Sequence, residues 1–73
     1  MQDFQIRPYG RRELALLYFP GEGSLAGKVA QLKRWLQRDP GFYQLLKDNG
    51  YKPRGHTLSA RQVRLITAFL GEP

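Results

Sequence analysis

The amino-acid sequence predicts a mainly α-helical fold, with four short helices, a small N-terminal strand or arm, and a short β-turn or wing before the last helix. Apolar residues recur at spacings of three and four along much of the chain, which is the period of an amphipathic helix. Residues that cap or break helices separate these stretches. Because 73 residues suffice for one hydrophobic core but not for two, we expect a single domain over residues 1–73.

The N-terminal part of the chain carries an arm and a first helix. Residues 4–7 alternate apolar and polar side chains and are closed by Pro8, a pattern typical of a short strand or an extended arm. Helix-forming residues follow Gly10 until Pro20 interrupts them, which predicts a helix over residues 11–18.

The second helix has the clearest amphipathic pattern in the chain. At about 100° per residue, one narrow stripe contains four apolar residues: Leu25, Val29, Leu32 and Leu36. Ser24 is a suitable N-cap, so we expect a helix over residues 25–38. Its opposite side is polar and carries Gln31, Arg34 and Arg38.

A third helix is expected over residues 40–48. Asp39 suits the N-cap and Pro40 the first helical position, while Asn49-Gly50 is typical of a left-handed stop. Phe42, Leu45 and Leu46 supply its apolar face. Between Tyr51 and Thr57, the run Pro53-Arg54-Gly55 indicates a tight turn or a small hairpin.

The start of the last helix is marked by two local motifs. Ser59 and Gln62 have the spacing of a capping box, and Leu58 and Val63 occupy the two positions of a hydrophobic staple. The residues expected to face inward are Val63, Ile66, Phe69 and Leu70. Gly71 ends the helix.

Charge is the most informative bulk property. Twelve Lys and Arg against six Asp and Glu give a net charge of +6 and an isoelectric point near 10.2. This excess favours association with polyanions, chiefly nucleic acid, although many small proteins carry charge only for solubility.

The absence of cysteine excludes disulfides and thiolate metal sites and fits a reducing compartment. The longest apolar run, residues 14–19, is far below the roughly 20 residues of a membrane span, and no signal-peptide pattern is visible. We therefore expect a cytoplasmic protein without a membrane partner.

The sequence predicts no enzyme activity, cofactor, metal or small-molecule substrate. The single histidine, His56, lies in a predicted turn with no carboxylate close in sequence, so a solvated loop histidine is the favoured interpretation. Backbone N–H groups of residues 21–24 suit an anion, but the P-loop spacing is missing and a flexible loop is favoured.

The basic residues provide the candidate nucleic-acid site. Arg34 and Arg38 are neighbours on the second helix with Gln31 beside them, residue types suited to base edges. Phosphate contacts are expected from Lys52, Arg54 and Arg61. For each group a merely solvated surface is the alternative.

Arg11 and Arg12 begin the first helix, where positive charge opposes the helix dipole. That mismatch hints at a role other than helix stability.

The aromatic residues support a second interpretation. Core packing is the favoured use of most of them, and a stacking platform for single strands is the alternative. An exposed apolar patch around Tyr18, Phe19 and Trp35 would instead indicate a protein-interaction module that docks on an acidic partner or self-associates.

The order of these elements resembles a winged helix-turn-helix of the MerR and excisionase kind. Glu13-Leu14-Ala15 would lie in its first helix, the Arg-bearing segment would be its second helix, and residues 50–63 would form the wing and the following helix. The resemblance implies binding to double-stranded DNA. The helix over residues 40–48 and the long loop after Tyr18 depart from that pattern.

Nearly the whole chain also resembles a family of short, uncharacterised Bacteroidetes proteins classed as a domain of unknown function. The shared motifs are Ile6-Arg7-Pro8-Tyr9-Gly10, Glu13-Leu14-Ala15, Tyr18-Phe19-Pro20, Leu32-Lys33-Arg34-Trp35, Gly50-Tyr51, Gln62-Val63 and Leu70-Gly71-Glu72-Pro73. This resemblance implies a single domain and no particular activity.

Overall fold

The structure, a computed structural model, describes residues 4–73. Its elements in chain order are β1 (Tyr9–Gly10), α1 (Arg11–Tyr18), α2 (Leu25–Gln37), α3 (Pro40–Asp48), β2 (Thr57–Leu58) and α4 (Ala60–Leu70). The predicted mainly α-helical fold is confirmed. The bounds of α1 and α3 match the expected ones, and α2 ends one residue earlier than expected. None of the helices in this described part is long and apolar enough to cross a membrane.

Side chains next to the helix ends explain where three of the helices begin. The hydroxyl of Ser24 accepts the N–H of Gly27 at 3.0 Å, and the carboxylate of Asp39 accepts two N–H groups of the first turn of α3. Ser59 and Gln62 form the expected reciprocal capping box. Each cap satisfies N–H groups that have no partner inside the helix, so local sequence sets these boundaries.

The two-stranded sheet lies later in the chain than the alternating pattern suggested. β1 pairs antiparallel with β2, with Tyr9 opposite Leu58. Of the two alternatives for residues 4–7, the strand is therefore wrong and the extended arm is correct. Phe4 stacks on Tyr9 with ring centroids 5.4 Å apart, and the Tyr9 hydroxyl donates to the carbonyl of Gln5. These contacts hold the arm against β1, so it does not extend the sheet.

The turn before β2 forms as predicted, but a hairpin across it does not. The N–H of Gly55 donates to the carbonyl of Lys52 at 2.9 Å, which closes a β-turn. The strand that follows this turn pairs with β1 at the start of the chain. The turn therefore projects beside the N-terminus of α1.

The core draws residues from all six elements and from the segment before β2. Its buried members are Tyr9, Leu14, Ala15, Leu32, Leu36, Leu46, Tyr51, Leu58, Val63 and Ile66. Three residues predicted to face inward are instead partly open: Leu25 is 36%, Leu45 44% and Phe69 37% exposed. Leu45 and Phe69 lie at the edges of their apolar stripes, and Leu25 is the first residue of α2.

Candidate nucleic-acid interface

The three polar residues predicted on α2 form one surface, which we call the helix face: Gln31, Arg34 and Arg38. Together with Trp35 and Gln37 they line a shallow depression of about 450 Å³. Arg34 and Arg38 are exposed, and Gln31 is half-buried. The indole of Trp35 is packed edge-on against Phe19, at 4.8 Å between ring centroids, so the helix face has a fixed aromatic floor.

A second surface, the basic groove, runs between the N-terminus of α1, one flank of α2 and the 52–55 turn. Its volume is about 920 Å³. Its cationic members are Arg11, Arg12, Lys33 and Arg54, and its other lining residues are Gly10, Leu25, Ala26, Val29, Ala30, Gly55 and His56. No acidic residue of the described chain is among them.

Helix geometry explains the shape of the groove. Ala26, Ala30 and Lys33 are spaced by four and three, so they lie on the same flank of α2. The two small alanines leave space next to the α1 terminus, and Lys33 lines the same groove. Leu25 and Val29 add an apolar wall beside the cations. The groove therefore has a charged rim and a partly apolar lining.

Arg11 connects α1 to the turn through several contacts. Its guanidinium donates to the carbonyl of Lys52 at 2.7 Å and to that of Pro53, and its central carbon lies 5.3 Å from the ring centroid of Tyr51. Its backbone N–H donates to the carbonyl of His56 at 2.9 Å. These contacts bring Arg54 to the same groove as Arg12.

Of the six residues predicted from sequence, the structure gathers three on the helix face and places Arg54 in the basic groove. Lys52 and Arg61 belong to neither surface. The Lys52 side chain is exposed on the turn, and Arg61 donates to the side-chain oxygen of Asn49 at 3.4 Å, beside the end of α3. Within residues 4–73, Lys52 meets the basic groove through its backbone carbonyl, which accepts from the Arg11 guanidinium, and neither side chain lines either surface.

Sequence reasoning missed Arg12 and Lys33 as site residues. For Arg12 a signal existed in its unfavourable charge at a helix N-terminus. For Lys33 the signal was weaker: it lies on the same flank of α2 as two alanines, beside the apolar stripe. Which element faces that flank depends on tertiary packing, so a linear pattern cannot show it.

Few of the cations in the described part of the chain are neutralised by direct ion pairing. Within residues 4–73 one salt bridge forms, between Arg7 and Glu13 at 3.0 Å. The hydrogen bond from Arg7, with a second from the N–H of Gly10, lowers the pKa of Glu13 below its usual value. The carboxylate of Asp48 instead accepts from the neutral amide of Gln44. The positive field of the groove is therefore not cancelled by a paired carboxylate.

The loop of residues 21–24 is contacted by a buried lysine of α2. Lys28 is only 8% exposed, and its ammonium donates to the carbonyl of Gly21. This contact ties α2 to the loop that precedes it.

In the described residues no three His, Asp or Glu side chains come together in a way that would hold a metal ion.

The apolar patch expected around Tyr18, Phe19 and Trp35 is not the exposed surface that was predicted. All three side chains are half-buried, and the centroids of Tyr18 and Phe19 lie 6.4 Å apart in a tilted arrangement. The Phe19 ring, just after α1, packs against both Tyr18 and Trp35 of α2, so each ring shields part of the next from solvent. The large apolar side chains that are exposed within the described residues are Ile6, Leu16, Leu25, Leu45 and Phe69.

The fold and these surfaces define a class: small, basic, mainly α-helical proteins with cations gathered on a groove. Within that class, the chain belongs to the family described as Domain of unknown function (DUF4248), whose model matches residues 5–73. Comparison with the curated proteins and with the solved structures gives no match.

Proposed function

We propose that this protein binds double-stranded DNA and catalyses no reaction, with α2 facing the duplex in a winged-helix-like arrangement. One observation carries the proposal: four cationic side chains from α1, α2 and the turn line a single groove that contains no acidic residue of the described chain. Bringing like charges together costs electrostatic energy in the free protein, and a bound polyanion relieves that cost. A cytoplasmic location belongs to the same proposal.

The two surfaces have complementary tasks in this proposal. Arg12, Lys33 and Arg54 contact phosphates, because flexible cations suit sequence-independent backbone contacts. The helix face approaches base edges, since Arg and Gln side chains match the donors and acceptors of the major groove. Lys33 and Arg34 are consecutive on α2 and point about 100° apart, so the two surfaces lie on different sides of the same helix.

Titration of a labelled duplex at several salt concentrations tests the proposal. The three phosphate contacts assigned to Arg12, Lys33 and Arg54 predict a slope of about −3 in a plot of log affinity against log salt. Substituting Lys33 or Arg12 by Ala should reduce this slope by about 1 each. Lys47→Ala is the matched control, because this exposed lysine on α3 lies 4.9 Å from the ring of Tyr43 and outside both surfaces. A protein that does not bind duplex at low salt would exclude the proposal.

A protein-interaction module is a second candidate, favoured by exposed apolar surface on α3 and α4. Phe42 and Phe69 stack at 4.1 Å between centroids, and Leu45 is 44% exposed nearby along α3. Association through such a surface would persist at high salt, whereas DNA binding would weaken. Sedimentation at low and high salt distinguishes protein association from DNA binding. Phe69→Ser should abolish a protein complex that persists at high salt and leave DNA binding unchanged.

A further inference from the structure

Arg11 occupies a position that its own helix does not favour. It is the first residue of α1, where the partial positive charge of the helix N-terminus repels a cation. Its guanidinium does not extend freely into solvent: Arg11 is half-buried and reaches across to the turn more than 40 residues later in the chain. The interactions made there must offset the unfavourable helix position.

The interactions of Arg11 with the turn are specific in direction. Two guanidinium nitrogens, Nη1 and Nη2, donate to two consecutive carbonyls, those of Pro53 and Lys52. The planar group also lies over the ring of Tyr51, a residue that is 4% exposed and anchored in the core. A planar donor with two parallel nitrogens makes this contact, and a lysine ammonium cannot reproduce it.

These contacts determine where Arg54 stands. Arg54 is one of the two central residues of the turn closed by Lys52 and Gly55, so its backbone moves with the carbonyls that Arg11 holds. In the groove it lies with Arg12 and Lys33. Ordering a flexible turn before binding removes an entropy cost from the binding step.

We propose that Arg11 is a positioning residue, which fixes the 52–55 turn so that Arg54 meets the phosphate backbone together with Arg12 and Lys33. This inference rests on the proposed DNA binding and deepens it. Arg11 and Arg12 are adjacent and identical in type, yet their roles differ: Arg11 organises the groove from within, and Arg12, which is exposed, contacts the ligand.

Two charge-conserving substitutions, Arg11→Lys and Arg64→Lys, test this role. Arg11→Lys keeps the charge but loses the paired donation to the turn, so we expect duplex affinity to fall by about fivefold or more. Arg64 is exposed on α4 and lines neither surface, so Arg64→Lys is the control and should change affinity by less than about twofold. In the free protein, hydrogen exchange at the Gly55 N–H should accelerate in Arg11→Lys and stay at the wild-type rate in Arg64→Lys.

A second measurement distinguishes positioning from a general loss of stability. Arg54→Ala should weaken binding in wild type and in the Arg64→Lys background, but add little in the Arg11→Lys background, because Arg54 is already displaced there. Equal effects of Arg54→Ala in both backgrounds, or unchanged Gly55 exchange in Arg11→Lys, would overturn the inference while leaving DNA binding intact. If the wild-type protein fails to bind duplex, the proposed function is overturned, and the role of Arg11 in binding is overturned as well.

Discussion

The side-chain amide of Gln62 joins α4 to the end of α3 through the backbone of Asn49. Its Nε2 donates to the carbonyl of Asn49 at 2.9 Å, while its Oε1 accepts the N–H of Ser59 at 3.0 Å. Gln62 is only 6% exposed, so both of its hydrogen bonds are screened from water. One residue therefore completes the N-terminal cap of α4 and links this helix to the end of α3.

Replacing Gln62 with Ala should destabilise the protein by about 1–3 kcal/mol, because it leaves a shielded N–H and a shielded carbonyl without partners. Chemical denaturation measures the change. Gln44→Ala is the control, since the exposed Gln44 amide donates only to Asp48 on the same helix face and its loss should cost below about 0.5 kcal/mol. Equal effects of the two substitutions would show that the link to Asn49 contributes nothing.

Gly50 connects the end of α3 to the same region and has a backbone that other residues rarely adopt. Its φ is +90°, and an added Cβ would lie 3.4 Å from Nε2 of Gln62. We expect Gly50→Ala to destabilise by about 1–2 kcal/mol. Gly10→Ala, at φ −68° and with nothing nearer than 3.9 Å, should change stability by less than about 0.5 kcal/mol. Thermal unfolding compares the two, and a tolerated alanine at 50 would contradict the backbone requirement.

The helices could be predicted because their boundaries depend on neighbours in sequence. Ser24, Asp39 and Ser59 each cap a helix that begins with the next residue, so the signal lies within four residues. The sheet could not be predicted in the same way, because Tyr9 pairs with Leu58 from the other end of the chain. An alternating pattern of four residues does not specify whether a partner strand is available.

The candidate site was predictable only in the part that lies on one helix. Gln31 and Arg34 share a face of α2 because helix periodicity requires it, and Arg38, the C-cap residue with helical φ and ψ, continues that face. Grouping Arg12, Lys33 and Arg54 requires knowing that α1 packs along α2 and that the turn folds back to Arg11. Those contacts follow from how the core packs, and the pattern of charged surface residues does not specify that packing.

The hydroxyl of Tyr18 provides a test at high pH. It donates to the carbonyl of Gly71, and burial, with a smaller effect of the Glu72 charge, raises its pKa from 10.0 to about 12. Because the folded state holds this proton more tightly than the unfolded state, the associated stability is complete below about pH 10 and is lost as pH rises toward 12. Tyr18→Phe should lack this loss.

Unfolding free energies of wild type and Tyr18→Phe across that pH range measure the effect of Tyr18. Lysines also titrate there, so the quantity to compare is the difference between the two proteins, in which the lysine contribution cancels. The difference should shrink steadily above pH 10. A difference that is independent of pH would mean that the phenol ionises equally easily in the folded and unfolded states.

The Arg7–Glu13 pair lowers a pKa, whereas burial raises that of Tyr18, so its effect on stability is seen at low pH. The Arg7 guanidinium lowers the pKa of Glu13, so the carboxylate should titrate below the ordinary Glu value of 4.5 when followed by nuclear magnetic resonance. Its stabilising effect is present above the unfolded pKa and is lost as pH falls through the folded value. In Arg7→Ala the titration should move back up, and added salt should shrink the difference. An unchanged titration in Arg7→Ala would assign the shift to the Gly10 N–H alone.

Trp35 is the one tryptophan of the chain and lies beside the residues that the proposal directs to the bases. Its indole contributes to the helix face with Gln31, Arg34 and Arg38, and the Arg38 guanidinium carbon lies 6.0 Å from its ring centroid. A duplex that contacts the helix face displaces water and moves these arginines, so binding should change the tryptophan emission. The change should disappear in an Arg34→Ala, Arg38→Ala double variant and persist in Lys47→Ala. Binding detected by anisotropy with constant tryptophan emission would show that DNA occupies the basic groove without reaching the helix face.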